Sequence, residues 1–381
     1  MKIGVVCYPT FGGSGVVATE LGKAMAAAGH EIHFITYEQP ARLDLLSENL
    51  YYHKVNIRNY PLFQYAPYEL ALASKMVEVV KKVGLDVLHV HYAIPHASAA
   101  YMAKQILKTE GINIPVVTTL HGTDITLVGK DESYAPVVTF SINQSDVVTT
   151  VSANLKEDTY KHFAVNKDII VVPNFIDLQR FQRQKKEHFK KAICPNGEKL
   201  LIHTSNFRKV KRIEDVVHIF NEVRQHIPAK LLLVGDGPER SGIEELCLSL
   251  NLIDDVRFIG KLEAIEEVLS IADVFLMPSE TESFGLAALE AMACEVPVIS
   301  SNTGGLPELN VHGVTGFLSN VGDVADMAKN TLLVLDDNQL PTFRENALKR
   351  AKEFDIAFIR PLYEEVYQKA VETAPQTAVM L

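Results

Sequence analysis

Short apolar runs alternate with longer amphipathic stretches along the whole chain. In the first half the amphipathic stretches Val16–Ala28 and Tyr68–Val83 repeat apolar residues with the period of an α-helix. The apolar runs between such stretches predict strands at Ile3–Tyr8, Glu31–Tyr37, Tyr51–Ile57, Asp86–Tyr92, Val116–Leu120, Val147–Ser152 and Ile169–Val172. Because nearly continuous apolar strands that alternate with helices are buried on both faces, the pattern indicates a parallel sheet covered by helices.

The same alternation then begins again. Strands are predicted at Leu200–Thr204, Lys230–Val234, Val256–Ile259, Val274–Met277 and Pro297–Ser300. Helices such as Arg212–Gln225 and Gly285–Ala293 separate them, and Ile356–Val371 is one more amphipathic helix. We therefore expect an α/β protein of two doubly wound, Rossmann-like domains. Residues 1–172 would form the first and 173–355 the second, with the helix in 356–381 packing back on the first.

Composition and charge narrow the class of protein. The chain of 381 residues is 47% hydrophobic and 22% charged, which is an ordinary globular balance and enough for two domains. Its formal net charge of −10 argues against a nucleic-acid partner. Its 4 cysteines are far apart in sequence and, with no leader or long apolar run, favour a cytoplasmic protein. A basic stretch, residues 180–191, is either a solvated surface or a membrane contact.

A glycine-rich turn, Gly12–Gly15, lies between the first predicted strand and its helix. Glycines there let backbone N–H groups approach an anion at the helix N-terminus. The segment Gly13–Ala18 also fits the dinucleotide fingerprint, and Glu38 follows the second strand at a suitable distance. An NAD-dependent oxidoreductase and a purely structural turn therefore both remain open from this motif.

A second motif, Pro278–Glu290, spans the end of a strand and the start of a helix. Gly285 and Leu286 would open that helix and offer free N–H donors to a phosphate. Glu282 precedes the helix and Glu290 lies about one turn inside it. Two carboxylates beside an anion site are suited to a ligand rich in hydroxyl groups, although either could instead be a surface acid.

Two further strand ends carry polar clusters. The segment Ser205–Arg212 holds four cations at a strand-to-helix turn, which is typical of a diphosphate site. The segment His121–Asp124 follows a strand of the first domain, and His91 and Tyr92 end the neighbouring strand, which indicates an acceptor pocket. No paired aspartates or histidine cluster accompanies Asp124, so we assign no metal.

Taken in order, these motifs resemble the retaining GT-B glycosyltransferases of family 4, whose signature is two glutamates separated by seven residues. Here those are Glu282 and Glu290. The resemblance covers nearly the whole chain, through HGTD at 121–124, PNFID at 173–177, VGDGP at 234–238, VRFIG at 256–260 and SNTGGLPEL at 301–309. It implies two Rossmann-like domains that face each other across a cleft.

The resemblance also implies a role for individual residues. Glu282, His121 and Lys211 would be catalytic. Asn206 stands where many members have arginine, and Arg208 is expected to compensate. At the donor phosphates, Gly15 would approach the β-phosphate, and the diphosphate would be bound by Asn206, Arg208 and Lys211. The Ile259 backbone would contact the uracil, and Glu290 would bind the ribose. The residues around the sugar would be Glu282, Phe284, Gly285 and Leu286.

Within the family, YPTFGGSGVVATELG, HYAIPHA and SNFRKVKR are most similar to members that transfer N-acetylglucosamine from UDP-GlcNAc. This implies L-malate as acceptor, an α-linked GlcNAc-malate product made without cofactor or metal, and the first step of bacillithiol biosynthesis. Inositol phosphate or a lipid is the alternative acceptor, and a homo-oligomer is left open. For the acceptor we select the residues Ser14, Arg58, Tyr92, Thr118 and Thr119.

Overall fold

The computed structural model describes residues 1–10, 12–57, 64–127, 131–184 and 186–373. The chain divides into two compact units. The N-terminal unit comprises residues 1–174 together with the helix that begins at Ile356, and the C-terminal unit comprises Phe175–Asp355. The boundary predicted between residues 172 and 173 lies two residues before the one observed.

The N-terminal unit contains a seven-stranded parallel sheet of order β3-β2-β1-β4-β5-β6-β7. Its strands are β1 (Lys2–Val6), β2 (Glu31–Thr36), β3 (Leu50–Lys54), β4 (Val87–His91), β5 (Val116–Leu120), β6 (Val147–Thr150) and β7 (Ile169–Val171). All seven predicted strands are present in the described residues. On one face of the sheet, Leu88 and Val90 pack with Leu72, Met76 and Leu107 in an apolar core.

The C-terminal unit repeats this arrangement in a six-stranded parallel sheet of order β10-β9-β8-β11-β12-β13. Its strands are β8 (Lys199–Ser205), β9 (Ala229–Gly235), β10 (Val256–Gly260), β11 (Val274–Met277), β12 (Val298–Ser301) and β13 (Gly316–Ser319). The sequence pattern missed β13, which has four residues, GFLS, and no β-branched side chain. A Cβ at Gly316 would lie 1.8 Å from the Val298 carbonyl oxygen, so glycine is needed for the close pairing with β12.

Helices cover both sheets. They are α1 (Gly13–Ala27), α2 (Tyr68–Val79), α3 (Ser98–Thr109), α4 (Ala135–Gln144), α5 (Ala153–His162), α6 (Glu187–Ile193), α7 (Ile213–Val223), α8 (Arg240–Ser249), α9 (Ile265–Leu269), α10 (Leu286–Ala293), α11 (Leu306–Leu309), α12 (Val324–Leu335), α13 (Leu340–Lys352) and α14 (Ile356–Thr373). Short helical turns are Val80–Gly84, Ala93–Ala97, Thr123–Leu127 and Lys209–Lys211. No described helix is long and apolar enough to cross a membrane.

The last helix, α14, belongs to the N-terminal unit although the C-terminal unit precedes it in the chain. Its inner face buries Tyr363 and Tyr367 almost completely. The Tyr367 hydroxyl lies 2.8 Å from Nδ1 of His89 on β4, and His30 Nε2 lies 3.1 Å from a Glu364 carboxylate oxygen. Aromatic burial and specific polar contacts together hold α14 against the first sheet.

Strand order fixes where ligands bind. In each sheet the winding direction reverses at the central strands, between β1 and β4 in the first and between β8 and β11 in the second. Open parallel sheets bind ligands outside the carboxyl ends of the strands at such reversal points. Residues 14, 15 and 92 follow β1 and β4, and residues 206–211 and 282–290 follow β8 and β11, so the fold places these predicted site residues at the expected edges. The prediction of two doubly wound, Rossmann-like domains is confirmed.

Candidate active site

The loop after β8 has a backbone path that only glycine neighbours permit. A Cβ at Gly235 would lie 1.8 Å from the Ser205 carbonyl oxygen, and one at Gly237 would lie 2.1 Å from that of Asn206. Phe207 is fully buried with a positive φ of 37°. The glycines of VGDGP therefore support the neighbouring loop by direct backbone contact, which leaves Asn206 and Arg208 with exposed side chains.

His203 orders this loop, and sequence reasoning missed it. Its Nδ1 lies 2.8 Å from the Leu276 carbonyl oxygen and its Nε2 lies 2.9 Å from Ser205 Oγ. Burial lowers the pKa of His203 to about 4, so the ring is neutral near pH 7. Nδ1–H must then donate to the carbonyl, and Nε2 must accept from the Ser205 hydroxyl. That hydroxyl accepts in turn from the Phe207 N–H at 3.3 Å.

Lys211 and Glu282 form a hydrogen-bonded ion pair across the reversal point of the second sheet. Their side chains are only 18% and 12% exposed. Ser279 Oγ also donates to the Glu282 carboxylate at 3.2 Å, and the Glu280 N–H donates to the Val210 carbonyl at 2.8 Å. The loops after β8 and β11 are thus joined, and two of the three predicted catalytic residues come together.

The turn before α10 is held by a pair of glycines. A Cβ at Gly304 would lie 1.9 Å from the Glu282 carbonyl oxygen, and the Gly305 N–H donates to that oxygen at 2.9 Å. Gly285 adopts the left-handed conformation at φ 97° and caps the helix that Leu286 begins. The first N–H groups of a helix have no partner inside it, so this turn presents donors suited to an anion.

The remaining donor residues occupy the same strand-end region of the C-terminal unit. Phe284 is buried, with its ring 5.5 Å from that of Phe354, so it can offer only backbone to a ligand. Glu290 is half-buried, one turn inside α10. Ile259 lies near the end of β10 and is 37% exposed. These positions allow the predicted contacts, and whether they bind a donor stays a prediction.

In the N-terminal unit the start of α1 packs tightly on the loop after β1. A Cβ at Gly15 would lie 2.5 Å from the carbonyl oxygens of both Tyr8 and Thr10. The Tyr92 hydroxyl, from the loop after β4, donates to Ser14 Oγ at 2.8 Å. The structure therefore brings together Ser14, Gly15 and Tyr92, three residues selected from the sequence, beside a helix N-terminus.

His121 lies next to this group. Its Nε2 lies 2.8 Å from His91 Nδ1, and its ring centre is 5.2 Å from that of Tyr92. Burial lowers the pKa of His121 to about 3, so the imidazole is neutral near pH 7. A neutral imidazole can give or accept one hydrogen bond at each nitrogen, depending on its tautomer.

Asp124 joins the two loops that carry Tyr92 and His121. Its carboxylate accepts from the Ala93 N–H at 2.9 Å and from the Gly122 N–H at 3.1 Å. Burial raises the pKa of Asp124 to about 6, against the lowering effect of these hydrogen bonds. Each carboxylate oxygen therefore accepts a hydrogen bond from a backbone N–H group. Among the described residues, no group of three or more histidine, cysteine, aspartate or glutamate side chains could hold a metal ion.

Two other proposed acceptor residues are not brought to this surface. Thr118 and Thr119 are fully buried within β5. Thr118 bonds to Ser145 at 2.7 Å, and Thr119 bonds to His89 at 2.7 Å. Thr119 also bonds to Thr149 of β6 at 2.7 Å, and Ser145 ends α4, so both threonine hydroxyls are occupied inside the fold. Arg58 lies outside the described residues.

The basic stretch after residue 180 is largely neutralised within the C-terminal unit. Arg180 pairs with Glu266 at 3.1 Å, Lys186 with Glu267 at 2.6 Å, and Lys190 with the buried Asp273 at 2.7 Å. Cations already paired with carboxylates attract anionic lipid weakly, so a surface stabilised by internal ion pairs is the better interpretation of this stretch.

Comparison with known proteins gives the family. A model of Glycosyltransferase Family 4 matches residues 11–180, and one of Glycosyl transferases group 1 matches residues 184–354. The chain is 49% identical over 373 residues to N-acetyl-alpha-D-glucosaminyl L-malate synthase of Bacillus anthracis, with 96% of each chain covered. It is 30% identical over 339 residues to an uncharacterized glycosyltransferase of Methanocaldococcus jannaschii, with 83% of this chain and 84% of that protein covered.

Solved structures agree on the fold. Anabaena HepE in complex with UDP-glucose matches with a TM-score of 0.82 at 21% identity, covering 97% of this chain and 99% of that one. Sucrose-phosphate synthase from Thermosynechococcus elongatus matches with a TM-score of 0.80 at 24% identity, covering 97% and 98%. The family resemblance read from the motifs is confirmed, and the chain belongs to glycosyltransferase family 4.

Proposed function

We propose that this protein transfers N-acetylglucosamine from UDP-GlcNAc to the hydroxyl group of L-malate, with retention of the α configuration. The product would be GlcNAc-α-malate, which opens bacillithiol biosynthesis. The observation that carries the proposal is the 49% identity, over 96% of both chains, with N-acetyl-alpha-D-glucosaminyl L-malate synthase. Identity of this extent across both domains supports the same donor and acceptor, since each domain contributes one of the two sites in the proposal.

The donor is proposed to bind at the strand ends of the C-terminal unit. Lys211, Arg208 and the N-terminal turn of α10 would receive the diphosphate, and Glu282 the sugar hydroxyls. Glu290 would bind the ribose and the Ile259 backbone the uracil. The support is geometric, because one cation, one carboxylate and a helix N-terminus meet at the reversal point of this sheet. That combination matches the alternation of anionic and hydroxyl groups along a nucleotide sugar.

The chemistry proposed is same-face displacement. The bond from the anomeric carbon to the β-phosphate oxygen breaks while the malate hydroxyl oxygen bonds to that carbon from the same side. The departing phosphate takes the hydroxyl proton, so no protein base is required. Pre-aimed donors that stabilise charge developing on a leaving group are each worth about 10²–10³-fold in rate. Lys211 is the side chain we propose for that role, and no metal is invoked.

The acceptor is proposed to bind in the N-terminal unit beside α1. Malate carries two carboxylates, and the Tyr92 hydroxyl donates to Ser14 Oγ at 2.8 Å beside the N-terminus of α1. The Ser14 hydroxyl keeps its own proton and is a neutral donor suited to a carboxylate. The buried positions of Thr118 and Thr119 favour a role in holding the sheet, so the proposed acceptor site is now centred on Ser14 and Tyr92.

The alternatives lose support. Membership of a glycosyltransferase family removes the basis for an NAD-dependent oxidoreductase, which rested on the Gly13–Ala18 fingerprint and Glu38. A lipid acceptor rested on the basic stretch, where Arg180, Lys186 and Lys190 are paired with carboxylates of this chain. A different small acceptor, such as inositol phosphate, remains the second candidate.

The test is UDP release from UDP-GlcNAc with L-malate, with succinate, and without acceptor, in buffer with and without EDTA. Succinate keeps both carboxylates and lacks the hydroxyl group, so it is the matched control for the attacking atom. We expect release that depends on malate, a product with the mass of GlcNAc-malate and an α linkage by NMR. EDTA should not change the rate. Slow hydrolysis indifferent to malate would contradict the acceptor and call for inositol phosphate next.

A variant pair tests the proposed role of Lys211. The change Lys211→Met keeps an unbranched side chain only one atom shorter and removes its charge, and we expect kcat to fall about 10²–10³-fold. Lys209→Met, at an exposed neighbouring position, is the control and should leave kcat nearly unchanged. Equal losses in both variants would contradict a specific role for Lys211 at the leaving group.

A further inference from the structure

His91 ends β4 and His121 directly follows β5, its parallel neighbour, with Thr119 of β5 opposite His91 in the register. The contact between the two rings is specific, since His91 Nδ1 lies 2.8 Å from His121 Nε2 and the ring planes are inclined by 25°. One nitrogen of His121 is thereby occupied. Its other nitrogen, Nδ1, makes no hydrogen bond within the described part of the chain and is the one left for a ligand.

The orientation of the His91 ring is fixed by the residues around it. Its side chain is fully buried, and it lies against His89 with ring centres 4.3 Å apart. His89 is held in turn by the Tyr367 hydroxyl and by Thr119. The carbonyl of His91 accepts a hydrogen bond from His96 Nδ1. Tertiary structure on every side therefore fixes the direction in which His91 Nδ1 points.

The second nitrogen of His91 decides which ring donates. His91 Nε2 is buried and has no hydrogen-bond partner among the described residues. Were His121 to donate through Nε2–H, neutral His91 would have to carry its own proton on Nε2, as a buried N–H without an acceptor. Buried N–H groups without a partner are rare and unfavourable. The opposite arrangement leaves only an unused lone pair there, so His91 donates through Nδ1–H.

We propose that His91 is a positioning residue that fixes the tautomer of His121, so that His121 presents Nδ1–H to the ligand as a hydrogen-bond donor. His121 in this tautomer can donate to a sugar hydroxyl or a phosphate oxygen, and it offers no lone pair to take the proton of an attacking hydroxyl. The depressed pKa values of both histidines agree with neutral rings. This deepens the proposed function, on which the kinetic part of the test rests.

Two amide variants of His91 distinguish loss of the hydrogen bond to His121 from a general disturbance of the packing around position 91. Asparagine places an amide where Nδ1 stands, and glutamine places one where Nε2 stands. We expect His91→Asn to retain most of the transfer rate. His91→Gln should lose about 10- to 100-fold in kcat, the range found when the partner that orients a metal-binding histidine is removed. Equal rates in two variants of equal thermal stability would overturn the proposal.

Long-range ¹H–¹⁵N NMR of the histidine rings tests the tautomer without any substrate. We expect a proton on Nδ1 of His121 in the unmodified protein, with its signal assigned from its loss in His121→Asn. The same tautomer should persist in His91→Asn, and a proton on Nε2 should appear in His91→Gln. A proton on Nε2 in the unmodified protein would overturn the proposal. Because this measurement needs no turnover, the tautomer of His121 can be established even if the proposed reaction fails.

Discussion

Mild acid should destabilise the N-terminal unit far more than the C-terminal unit. Burial lowers the pKa of His89 to about 3 and that of His96 to about 4, and it lowers the pKa of His91 well below 6.5. A histidine that stays neutral when folded but gains a proton when unfolded stabilises the fold only above its unfolded pKa. Stability is then lost as the pH falls from about 6.5 towards the folded values.

The size of the effect follows from these values. At pH 5 each such histidine removes about 2 kcal/mol of the stability present at pH 7, because the unfolded side chain is almost fully protonated. His89, His96 and His121, whose folded pKa values are lowered to about 3 or about 4, together remove about 6 kcal/mol on that basis, and His91 acts in the same direction. Asp124 acts in the opposite direction, since its pKa of about 6 exceeds the ordinary 3.8. It makes the folded state about 1 kcal/mol more stable at pH 5 than at pH 7. The net loss of about 5 kcal/mol is a large part of the 5–15 kcal/mol typical of a domain.

Among its described residues the C-terminal unit has one comparable histidine, His203, and should lose about 2 kcal/mol. Calorimetry at pH 7 and pH 5, with limited proteolysis to assign each transition to a unit, measures the difference. The midpoint of the N-terminal unit should fall by about 10–20 °C. His89→Gln should reduce that fall, and His218→Gln, at an exposed position, should not. A smaller shift in the N-terminal than in the C-terminal unit would refute the reasoning.

Three further predictions concern the site and its support. Gly304→Ala places a Cβ against the Glu282 carbonyl oxygen and should raise the KM for UDP-GlcNAc at least tenfold. The control is Gly313→Ala, where φ is also positive but no atom lies within 4 Å of the added Cβ. It should leave KM unchanged and lower the free energy of unfolding by about 1–2 kcal/mol, measured with denaturant. Tyr367→Phe leaves His89 Nδ1 without its partner and should cost about 1–3 kcal/mol, measured in the same way. The double variant Lys211→Met, Glu282→Gln should bind UDP more tightly than Lys211→Met alone, as measured by calorimetric titration. The reason is that the second change removes an unpaired carboxylate near the proposed diphosphate site. A double variant that binds UDP still more weakly would contradict this.

The sequence pattern predicted the sheets well because strands buried on both faces are apolar throughout, a signal that does not depend on distant contacts. It also predicted which candidate residues lie together, since residues that follow parallel strands must lie at one edge of the sheet. The pairing of Lys211 with Glu282 and of Ser14 with Tyr92 follows from that rule once the strand order is known. The strand β13 escaped because GFLS, although as long as β12, has none of the β-branched residues that mark its neighbour.

Other features could not be read from the sequence, because they depend on three-dimensional contacts between residues far apart in it. His203 resembles any polar residue within a strand until its two nitrogens are seen to join Leu276 to Ser205. Thr118 and Thr119 carry hydroxyl groups near a strand end, yet one bonds to Ser145 at the end of α4 and the other to Thr149 on β6. A hydroxyl indicates a binding site only where it reaches solvent, and burial of a single strand residue is a tertiary property.

The departure from the family pattern at Asn206 is consistent with how the loop is built. The path of this loop is set by the backbone approach of Gly235 and Gly237 and by the hydrogen bonds that His203 and the Phe207 N–H each make to the Ser205 hydroxyl, none of which involves the Asn206 side chain. Its charge requirement can be met by Arg208, which is exposed beside it, and by Lys211. Since Glu282 already neutralises Lys211, a diphosphate must draw on Arg208 and on the N–H groups of α10 as well. An additional arginine at position 206 would add attraction without changing the loop, and its absence is compatible with a working donor site.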